Sequence, residues 1–571
     1  MTAIFNIHYT DPRPHTPKLN LPNGICVSAV LATHELRTRM SKGKILWVDD
    51  EIDLLKPHIL LLEQRGYEVL TANNGEDAIA IAQAATEQSA PADLVFLDEM
   101  MPGMGGLRTL EALKVHAPLV PVVMVTKSEE EDLMEQAIGK KIADYLTKPV
   151  NPTQVLLAVK KFLEGKQIVD EAVSRDYTQE FARMSVDLMN ARNAEDWTQL
   201  YVKLVGWEME LDERGGLGLR QTLQDQKKEM QSEFARFIER QYKSWVNTIY
   251  VESNAAERPA LSPDITEQFV LPHLADADQH VVYFVVDCMR LDQWLIMEHE
   301  LRGLFSFKKD YYFGILPTAT PYARNAIFSG QFPSEFVKHY PQTFGTGDDD
   351  EHSQNKDEAA MLAGLLERKR TKLRGELKYI KIIDRDYGAG IAQNIVTHAR
   401  NHLTAIVVNF VDMLAHTRSD SPILKEIAPD ESAYRSLTRS WFQHSSLLEM
   451  FRALARVPNL KIVVTTDHGS IRSLRGAKVI GDRETSTSLR YKYGRNVKAD
   501  DKQAMQIRNP EEFKLPNRGP VSNYIIAKED YYFVYPTDYH KYLNHYRDTF
   551  QHGGISMEEM ILPVVTMQSR G

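Results

Sequence analysis

The chain has 571 residues, a formal net charge of -10 at pH 7 and two cysteines. The length predicts three or so domains, the acidic balance disfavours a general nucleic-acid-binding surface, and the cysteine count excludes a disulfide framework or a thiolate metal cage. The sequence contains no run of about 20 apolar residues that could span a membrane, so the composition indicates a soluble cytoplasmic protein.

Residues 1–40 are proline-rich and lack the periodicity of helices or strands. They also lack the basic start and the apolar block of a secretory signal. We interpret them as a disordered arm. Because Met40 stands directly before the first strong strand pattern, we expect the arm to derive from an upstream start site.

Residues 41–165 alternate apolar runs with helix-period segments, which predicts a parallel sheet with helices on both faces. Ligands of such folds bind at the carboxyl ends of the strands. Three carboxylates in one crevice repel each other, and a hard cation such as Mg²⁺ together with a lysine relieves that repulsion. The polar residues that follow the predicted strands are Asp49, Asp50, Asp98, Thr126 and Lys148.

The acidic pair, the stretch LDEMMPGMGG, the threonine that ends VVMVT and the late KP together resemble the receiver domain of two-component response regulators. The resemblance implies a flavodoxin-like fold in which Asp98 accepts a phosphoryl group from a sensor histidine kinase. An aspartyl phosphate adds charge and acceptor oxygens that bias a bistable face of the domain. The remaining roles that the resemblance implies are Mg²⁺ binding by Asp49 and Asp50, contact with the phosphoryl oxygens by Thr126 and Lys148, and an aromatic switch at Tyr145.

Residues 166–264 carry apolar residues at spacings of three and four and almost no proline. This pattern predicts amphipathic helices that pack as a bundle. We interpret the segment as a helical connector that couples the receiver to an output domain.

Residues 265–571 return to alternating strands and helices, which predicts a large α/β domain with its chemistry at the strand ends. Carboxylates and imidazoles follow these strands, and such an N/O ligand set suits Zn²⁺ or Mn²⁺. Asp412 and His416 are four residues apart, so they face one ion if the chain is helical there. The six candidate ligands, too many for one tetrahedral ion and enough for two, are Asp287, Asp412, His416, Asp467, His468 and His552.

Two metals about 4 Å apart suit in-line displacement at phosphorus. The stretch PTATPYARN supplies two candidate nucleophiles, Thr318 and Thr320, in front of a predicted helix whose free N–H groups can hold a phosphate. A sulfatase is disfavoured, because Ala319 and Ala323 stand where that branch needs a Cys or Ser and an Arg.

The order of D-x-x-x-H, D-H-G and a late H-G-G resembles the PglZ-like branch of the alkaline phosphatase superfamily. The resemblance implies that Thr320 is the nucleophile, that one metal is held by Asp412, His416 and His552, and that the other is held by Asp287, Asp467 and His468 together with the nucleophile.

Residues 483–495 interleave basic residues with tyrosines, a combination that can grip phosphates and stack bases. A solvated loop is the alternative interpretation. We expect a nucleotide or oligonucleotide phosphodiester as substrate, because a stacking surface has no use on a bare monoester. The candidate substrate contacts are Arg483, Arg490, Tyr491 and Lys492.

The whole chain after Met40 resembles a family of Bacteroidota response regulators that join a receiver to a PglZ-like domain and are linked to type IX secretion. The resemblance implies a sensor kinase partner, an alternative sigma factor and a phosphorylation-dependent homodimer. No recognition-helix module is evident, which argues against direct DNA binding. Two functions stay open: a di-metal phosphodiesterase switched through Asp98, and a protein-interaction module in which the metals are structural and turnover is small or absent.

Overall fold

The structure is a computed structural model, and it describes residues 41–87, 91–127, 142–214, 217–250, 258–276, 278–344, 354–481, 488–518, 522–537 and 539–570. The predicted arm at residues 1–40 and the candidate Arg483 lie outside these ranges. The chain divides into two compact units, Met1–Glu171 and Ala172–Gly571. No helix within the described residues combines the length and the apolar character that crossing a bilayer requires.

The first unit contains a five-stranded parallel sheet in the order β2-β1-β3-β4-β5. Alternate residues of its first strand enter two different cores: Ile45 and Trp47 pack on one face, Leu46 and Val48 on the other. A sheet that is covered on both faces explains why its strands are almost uninterrupted apolar runs. The strands are β1 (Lys44–Val48), β2 (Glu68–Ala72), β3 (Leu94–Asp98), β4 (Val122–Thr126) and β5 (Asp144–Thr147), and the helices are α1 (Lys56–Gln64), α2 (Gly75–Glu87), α3 (Gly106–His116) and α4 (Pro152–Val159).

Three long helices follow, as the apolar spacing predicts: α5 (Gly165–Asn190), α6 (Ala194–Arg214) and α7 (Leu217–Asn247). Their buried side chains belong to the same hydrophobic cluster as the large α/β domain. The Phe234 ring of α7 lies 5.3 Å from the Trp197 ring and 6.3 Å from the Phe313 ring of the α/β domain. The helical connector and the α/β domain therefore form one compact unit with a common core, although the sequence pattern marks them as separate segments.

The second unit also contains the α/β domain that the sequence predicts. Its strands are β6 (His280–Val286), β7 (Phe305–Phe313), β8 (Lys378–Ile382), β9 (Leu403–Val408), β10 (Leu460–Thr465), β11 (Ile471–Ser473), β12 (Arg475–Lys478), β13 (Tyr491–Arg495), β14 (Ala504–Ile507), β15 (Ser522–Ala527), β16 (Tyr531–Val534), β17 (Thr549–Gln551) and β18 (Ile561–Ser569). Its helices are α8 (Leu291–Leu301), α9 (Thr320–Ser329), α10 (Pro333–Phe336), α11 (Glu358–Arg368), α12 (Arg385–His398), α13 (Phe410–Asp420), α14 (Pro422–Ile427), α15 (Glu431–Gln443), α16 (Ser446–Leu454), α17 (Tyr539–Tyr546) and α18 (Met557–Met560). The predicted α/β multidomain architecture, with a parallel-sheet domain, a helical connector and a large α/β domain, is confirmed.

The main sheet of this domain has the strand order β7-β18-β10-β6-β9-β8. Strands β10, β6, β9 and β8 are parallel neighbours, so their carboxyl ends lie along one edge. This edge receives Asp287 directly after β6 and Asp467 two residues after β10. The strand expected to end near Asp412 ends earlier, at Val408, and Asp412 lies in the first turn of α13.

The common core predicts that the connector helices and the α/β domain lose stability together. Phe234→Ala should cost about 3–5 kcal/mol, because it removes a fully buried ring from the junction. Amide hydrogen exchange should show faster exchange in both α7 and β7. Val186→Ala, at a side chain that is half exposed on α5, is the control and should change stability by less than about 0.5 kcal/mol. Faster exchange in α7 with unchanged β7 would contradict the common core.

Candidate active site

The six candidate ligands of the large domain gather in two neighbouring clusters. Asp412, His416 and His552, here the Asp412 cluster, offer ligand atoms within 4.8 Å of one another. Asp287, Asp467 and His468, here the Asp467 cluster, do the same. The His468 and His552 rings stack with centroids 4.3 Å apart, so the two clusters adjoin.

The Asp467 cluster depends on a sharp turn after β10. The strand ends at Thr465, which frees Asp467 and His468 from the alternation of a strand and lets both side chains serve one site. The turn needs glycine at its next position, because a Cβ on Gly469 would lie 1.9 Å from the Glu558 carbonyl oxygen. The Asp467 Oδ1 atom accepts hydrogen bonds from the Cys288 N–H at 3.2 Å and the His468 N–H at 3.1 Å.

Burial and neighbouring charges set the protonation of both clusters. Burial raises the pKa of Asp467, and the adjacent Asp287 carboxylate raises it further. Burial lowers the pKa of His468 despite nearby carboxylates, which favours the neutral imidazole that a metal requires. Burial opposes ionisation of Asp412, but the hydrogen bond and charge of His416, with His552 nearby, hold the Asp412 pKa well below its usual range.

The residues of both clusters fit divalent ions. The buried atom Asp467 Oδ2 accepts no hydrogen bond from the described residues. A buried carboxylate oxygen without a donor is costly, and ligation of a cation compensates that cost. The donor set of imidazole nitrogens and carboxylate oxygens is one that Zn²⁺ and Mn²⁺ accept. The His416 side chain is 48% exposed, so the Asp412 cluster opens to solvent.

The two candidate nucleophiles have different surroundings. Thr320 is the first residue of α9, and its Oγ1 lies 3.0 Å from His468 Nε2 and 3.5 Å from Asp287 Oδ1. Thr318 Oγ1 instead donates to the Gly554 carbonyl oxygen at 2.8 Å and accepts from the Gly553 N–H at 3.2 Å. Thr320 Oγ1 thus lies at the Asp467 cluster, whereas Thr318 Oγ1 holds the H-G-G turn.

Sequence reasoning missed Arg324, which lies one turn beyond Thr320 on α9 and is 2% exposed. Its Nη1 atom lies 2.6 Å from Asp287 Oδ2 and 3.6 Å from Asp467 Oδ2, and its Nε lies 2.5 Å from Glu358 Oε1. The guanidinium therefore balances the paired carboxylates of the Asp467 cluster. The available signal was its spacing of four residues from Thr320, which places both side chains on one helix face.

Arg490, expected among the substrate contacts, has no solvent-accessible surface. Its guanidinium pairs with Glu559, with Nε 3.2 Å from Oε1 and Nη2 2.5 Å from Oε2. The Glu559 Oε1 atom also accepts from the Gly554 N–H at 2.8 Å. The structure thus gives Arg490 a supporting position beneath the H-G-G turn, which does not agree with an exposed substrate contact.

The other described candidates of this segment are buried as well. Tyr491 meets the Tyr322 ring edge-on at 5.6 Å, and Lys492 is 3% exposed with its Nζ 5.2 Å from the Tyr535 ring. Both belong to β13 (Tyr491–Arg495), which pairs with β15, so this described part of the segment is a sheet strand and differs from the solvated loop proposed as the alternative. Tyr493 is only partly buried, and the Arg518 guanidinium lies 4.4 Å from its ring.

In the first unit, Asp49, Asp50 and Asp98 offer ligand atoms within 4.8 Å of one another. The Lys148 Nζ atom lies 2.9 Å from Asp49 Oδ2 and 2.8 Å from Asp98 Oδ2. Burial and the Asp49 charge raise the pKa of Asp98, while the hydrogen bond from Lys148 opposes them. The structure also places the two other predicted residues: the Thr126 hydroxyl donates to the Glu99 carboxylate, and Tyr145 on β5 is 42% exposed.

Three family models match successive parts of the chain. The response regulator receiver domain matches residues 45–160, and the PorX response regulator linker domain matches residues 167–246. The BREX system PglZ alkaline phosphatase-like domain matches residues 265–567. The last of these matches covers more than half of the chain.

Relatives with similar sequences match over the receiver part. The alginate biosynthesis transcriptional regulatory protein AlgB of Pseudomonas syringae pv. tomato is 38% identical over 128 residues, 22% of this chain and 28% of that protein. The alkaline phosphatase synthesis transcriptional regulatory protein PhoP of Bacillus subtilis is 35% identical over 127 residues, 22% of this chain and 50% of that protein. Protein PilH of Pseudomonas aeruginosa is 35% identical over 127 residues, 22% of this chain and 99% of that protein. The chain thus spans less than a third of AlgB.

Solved structures match over the same part. A response regulator receiver domain protein from Clostridium thermocellum has 31% sequence identity and a TM-score of 0.20, and the match covers 22% of this chain and 98% of that one. The chemotaxis protein CheY4 of Vibrio cholerae has 29% identity and a TM-score of 0.20, with 21% and 98% of the two chains covered.

A supporting position for Arg490 predicts a loss of stability when its charge is removed. Arg490→Met leaves Glu559 buried without its partner, which should cost about 3–5 kcal/mol in urea unfolding. Arg439→Met is the control, because Arg439 and its partner Glu213 are both exposed at a distance of 3.5 Å, and the change should stay within about 1 kcal/mol. Unchanged stability of Arg490→Met with a raised KM would instead identify a substrate contact.

Proposed function

We propose that this chain, which belongs to the PglZ alkaline phosphatase-like family, is a two-component response regulator with a metal-dependent phosphodiesterase as output. The PglZ-like domain is joined to a response regulator receiver and a PorX-type linker. The observation that carries the proposal is the position of Thr320 Oγ1, 3.0 Å from His468 Nε2 within one of two adjoining N/O clusters. Receiver domains pair with sensor histidine kinases, so a kinase of that class is the expected phosphoryl donor to Asp98.

Alkaline phosphatase-like domains and receiver domains both use divalent metals, and the metal of receiver domains is Mg²⁺. In the hydrolase we assign one Zn²⁺ or Mn²⁺ to the Asp412 cluster and one to the Asp467 cluster, and in the receiver we assign Mg²⁺ to Asp49, Asp50 and Asp98. When bound, the two ions of the hydrolase would supply the positive charge that stabilises the phosphoryl oxygens in the transition state.

Side chains of the chain orient the nucleophile and react with the phosphodiester. His468 Nδ1 lies 3.1 Å from the Gly469 carbonyl oxygen, an arrangement that puts the proton on Nδ1 and would keep the Nε2 lone pair, which lies beside Thr320 Oγ1, available to the ion that we assign to the Asp467 cluster. Thr320 Oγ1 forms a bond to phosphorus, the bond from phosphorus to the leaving oxygen breaks, and the hydroxyl proton ends on the released alcohol. Water then hydrolyses the phosphothreonine, which yields a monoester and restores the hydroxyl.

We propose a nucleotide or oligonucleotide phosphodiester as substrate. Tyr322 follows the nucleophile by two residues, and its ring lies 4.9 Å from the Phe344 ring. The Arg518 guanidinium lies 5.1 Å from the Phe344 ring and 4.4 Å from the Tyr493 ring. Tyr322 is buried, but Phe344, Tyr493 and Arg518 are partly exposed, and aromatic faces with a cation suit a base that stacks while its phosphate reacts. Tyr493 and Arg518, both partly exposed, replace the buried Arg490 and Lys492 in this role.

Resemblance to the whole-chain family supports three further parts of the proposal: a role in type IX secretion, an alternative sigma factor as partner, and a homodimer that forms on phosphorylation. The acidic balance of the chain argues against binding of a nucleic-acid backbone, so we propose that regulation proceeds through protein contacts or through the hydrolysed substrate.

The nucleophile is tested by Thr320→Val, which keeps the volume and removes the hydroxyl. Hydrolysis of bis-p-nitrophenyl phosphate should fall by about 10³-fold or more, as expected when a covalent step is lost. Metal analysis should still find two ions per hydrolase domain. Thr266→Val is the matched control, because Thr266 is equally buried and donates to the Ile327 carbonyl oxygen at 2.7 Å, outside both clusters. Wild type that binds both ions and hydrolyses no phosphoester would favour the interaction module.

The switch is tested with Mg²⁺ and acetyl phosphate. Phosphorylation of wild type should change the sedimentation coefficient or the hydrolysis rate, because the new phosphoryl oxygens attract Lys148 and Thr126. Asp98→Ala should abolish the response, whereas Asp53→Ala, at a carboxylate that is 84% exposed near the same end of the sheet, should keep it. Identical sedimentation and turnover of wild type with and without the donor would contradict regulation through Asp98.

A further inference from the structure

We infer that Lys227 and Gln231, on the connector helix α7, are positioning residues for the hydrolase: they hold the helix α18, and α18 supports the turns that carry His468 and His552. The inference deepens the proposed function and rests on it. Both residues lie outside the PglZ-like domain match, which begins at residue 265.

Helix α7 contacts α18 through two side chains. The Gln231 side-chain amide donates to the Glu558 carboxylate, and its Oε1 accepts from the Met557 N–H at 3.1 Å. The Lys227 Nζ atom lies 2.8 Å from Glu558 Oε1. Gln231 is 5% exposed and Glu558 is 3% exposed. Hydrogen bonds and ion pairs that are shielded from water are strong and geometrically demanding.

Helix α18 in turn packs against the turn after β10. The Glu558 carbonyl oxygen packs so closely on Gly469 that a Cβ there would lie 1.9 Å away. The Gly469 N–H points to the Glu559 carbonyl oxygen at 3.4 Å. Gly469 directly follows His468, so a displacement of α18 displaces a ligand of the Asp467 cluster.

Helix α18 also contacts the H-G-G turn. The Glu559 carboxylate accepts from the Gly554 N–H at 2.8 Å and from the Ser556 hydroxyl at 2.7 Å. Gly554 lies two residues beyond His552, a ligand of the Asp412 cluster. One helix of four residues thus supports a histidine in each cluster, and its outer side is held by α7. Catalytic groups displaced by about 1 Å lose roughly 10²-fold in rate.

The chain offers a matched control on the same helix. Gln226 is 3% exposed, and its side-chain amide donates to the Phe181 carbonyl oxygen at 3.1 Å and to Ser185 Oγ at 3.2 Å. Both partners belong to α5, so these bonds stay within the connector helices. Gln226→Met and Gln231→Met therefore remove the same group from the same helix, and only Gln231 reaches α18.

The experiment uses the full chain and two readouts. At saturating zinc, Gln231→Met should lower kcat for bis-p-nitrophenyl phosphate about tenfold or more, and a zinc titration should show at least a tenfold weaker affinity. Gln226→Met should keep both values while the melting temperature falls by a similar amount. Zinc affinity and kcat of Gln231→Met equal to those of Gln226→Met would overturn the inference.

A second pair of variants covers the case in which Gln231→Met fails to fold. Lys227→Met should weaken zinc binding, and Lys227→Arg, which keeps the charge, should restore at least part of the affinity. Wild-type zinc affinity in Lys227→Met would overturn the inference. Failure of the proposed function can be distinguished from failure of this inference. Wild type that hydrolyses no phosphodiester would refute the proposed activity, and the zinc titrations would still test the positioning role of Lys227 and Gln231.

Discussion

Both units depend on the same constraint, which is the burial of like-charged carboxylates at the carboxyl edge of a parallel sheet. Asp49 and Asp98 share Lys148 in the first unit, and Asp287 and Asp467 share Arg324 in the second. Carboxylates that are desolvated together repel each other, and they stay ionised only when a cation lies between them. The protein cations compensate part of that charge, and bound divalent ions are suited to compensate the rest. A site of this kind must be held in place from outside, because repulsion acts to open it.

Several distant elements support the proposed hydrolase site. Gly469 allows the turn after β10 to pass against α18, and Arg490 pairs with Glu559 beneath the H-G-G turn. Thr318 ties the turn before Thr320 to the same H-G-G turn through Gly554. The turns that carry the candidate ligands therefore contact each other through buried hydrogen bonds. Such a network is expected to move as one piece and to transmit a shift of the connector helices to both clusters.

The receiver site carries a contact that fits a switch. The Thr126 hydroxyl donates to the Glu99 carboxylate, which directly follows Asp98 in the chain. A phosphoryl group on Asp98 would offer competing acceptor oxygens close to the same hydroxyl. Release of Thr126 from Glu99 would change the end of β4 with little movement of the rest of the sheet. This change of hydrogen-bond acceptor is a physical mechanism by which phosphorylation of Asp98 could begin the proposed regulation of the output domain.

The sequence by itself determined the features that follow from local pattern. Apolar runs located the strands, and the polar residues at or just beyond their carboxyl ends, such as Asp98, Asp287 and Asp467, were identified because parallel strands present these ends at one edge. The spacing of Asp412 and His416 indicated one helix face in the same way. These inferences need only the backbone periodicity of a few neighbouring residues.

Only the tertiary structure decided which of these residues have partners from elsewhere in the chain. Arg490 was expected at a substrate surface, but Glu559, 69 residues away in sequence, draws it into the interior. Gln231 and Glu558 are 327 residues apart, and their contact exists because the connector helices and the α/β domain share a core. Sheet order and helix packing create such pairs, and the energy of a buried ion pair depends on that complete environment. Local periodicity contains no information about it.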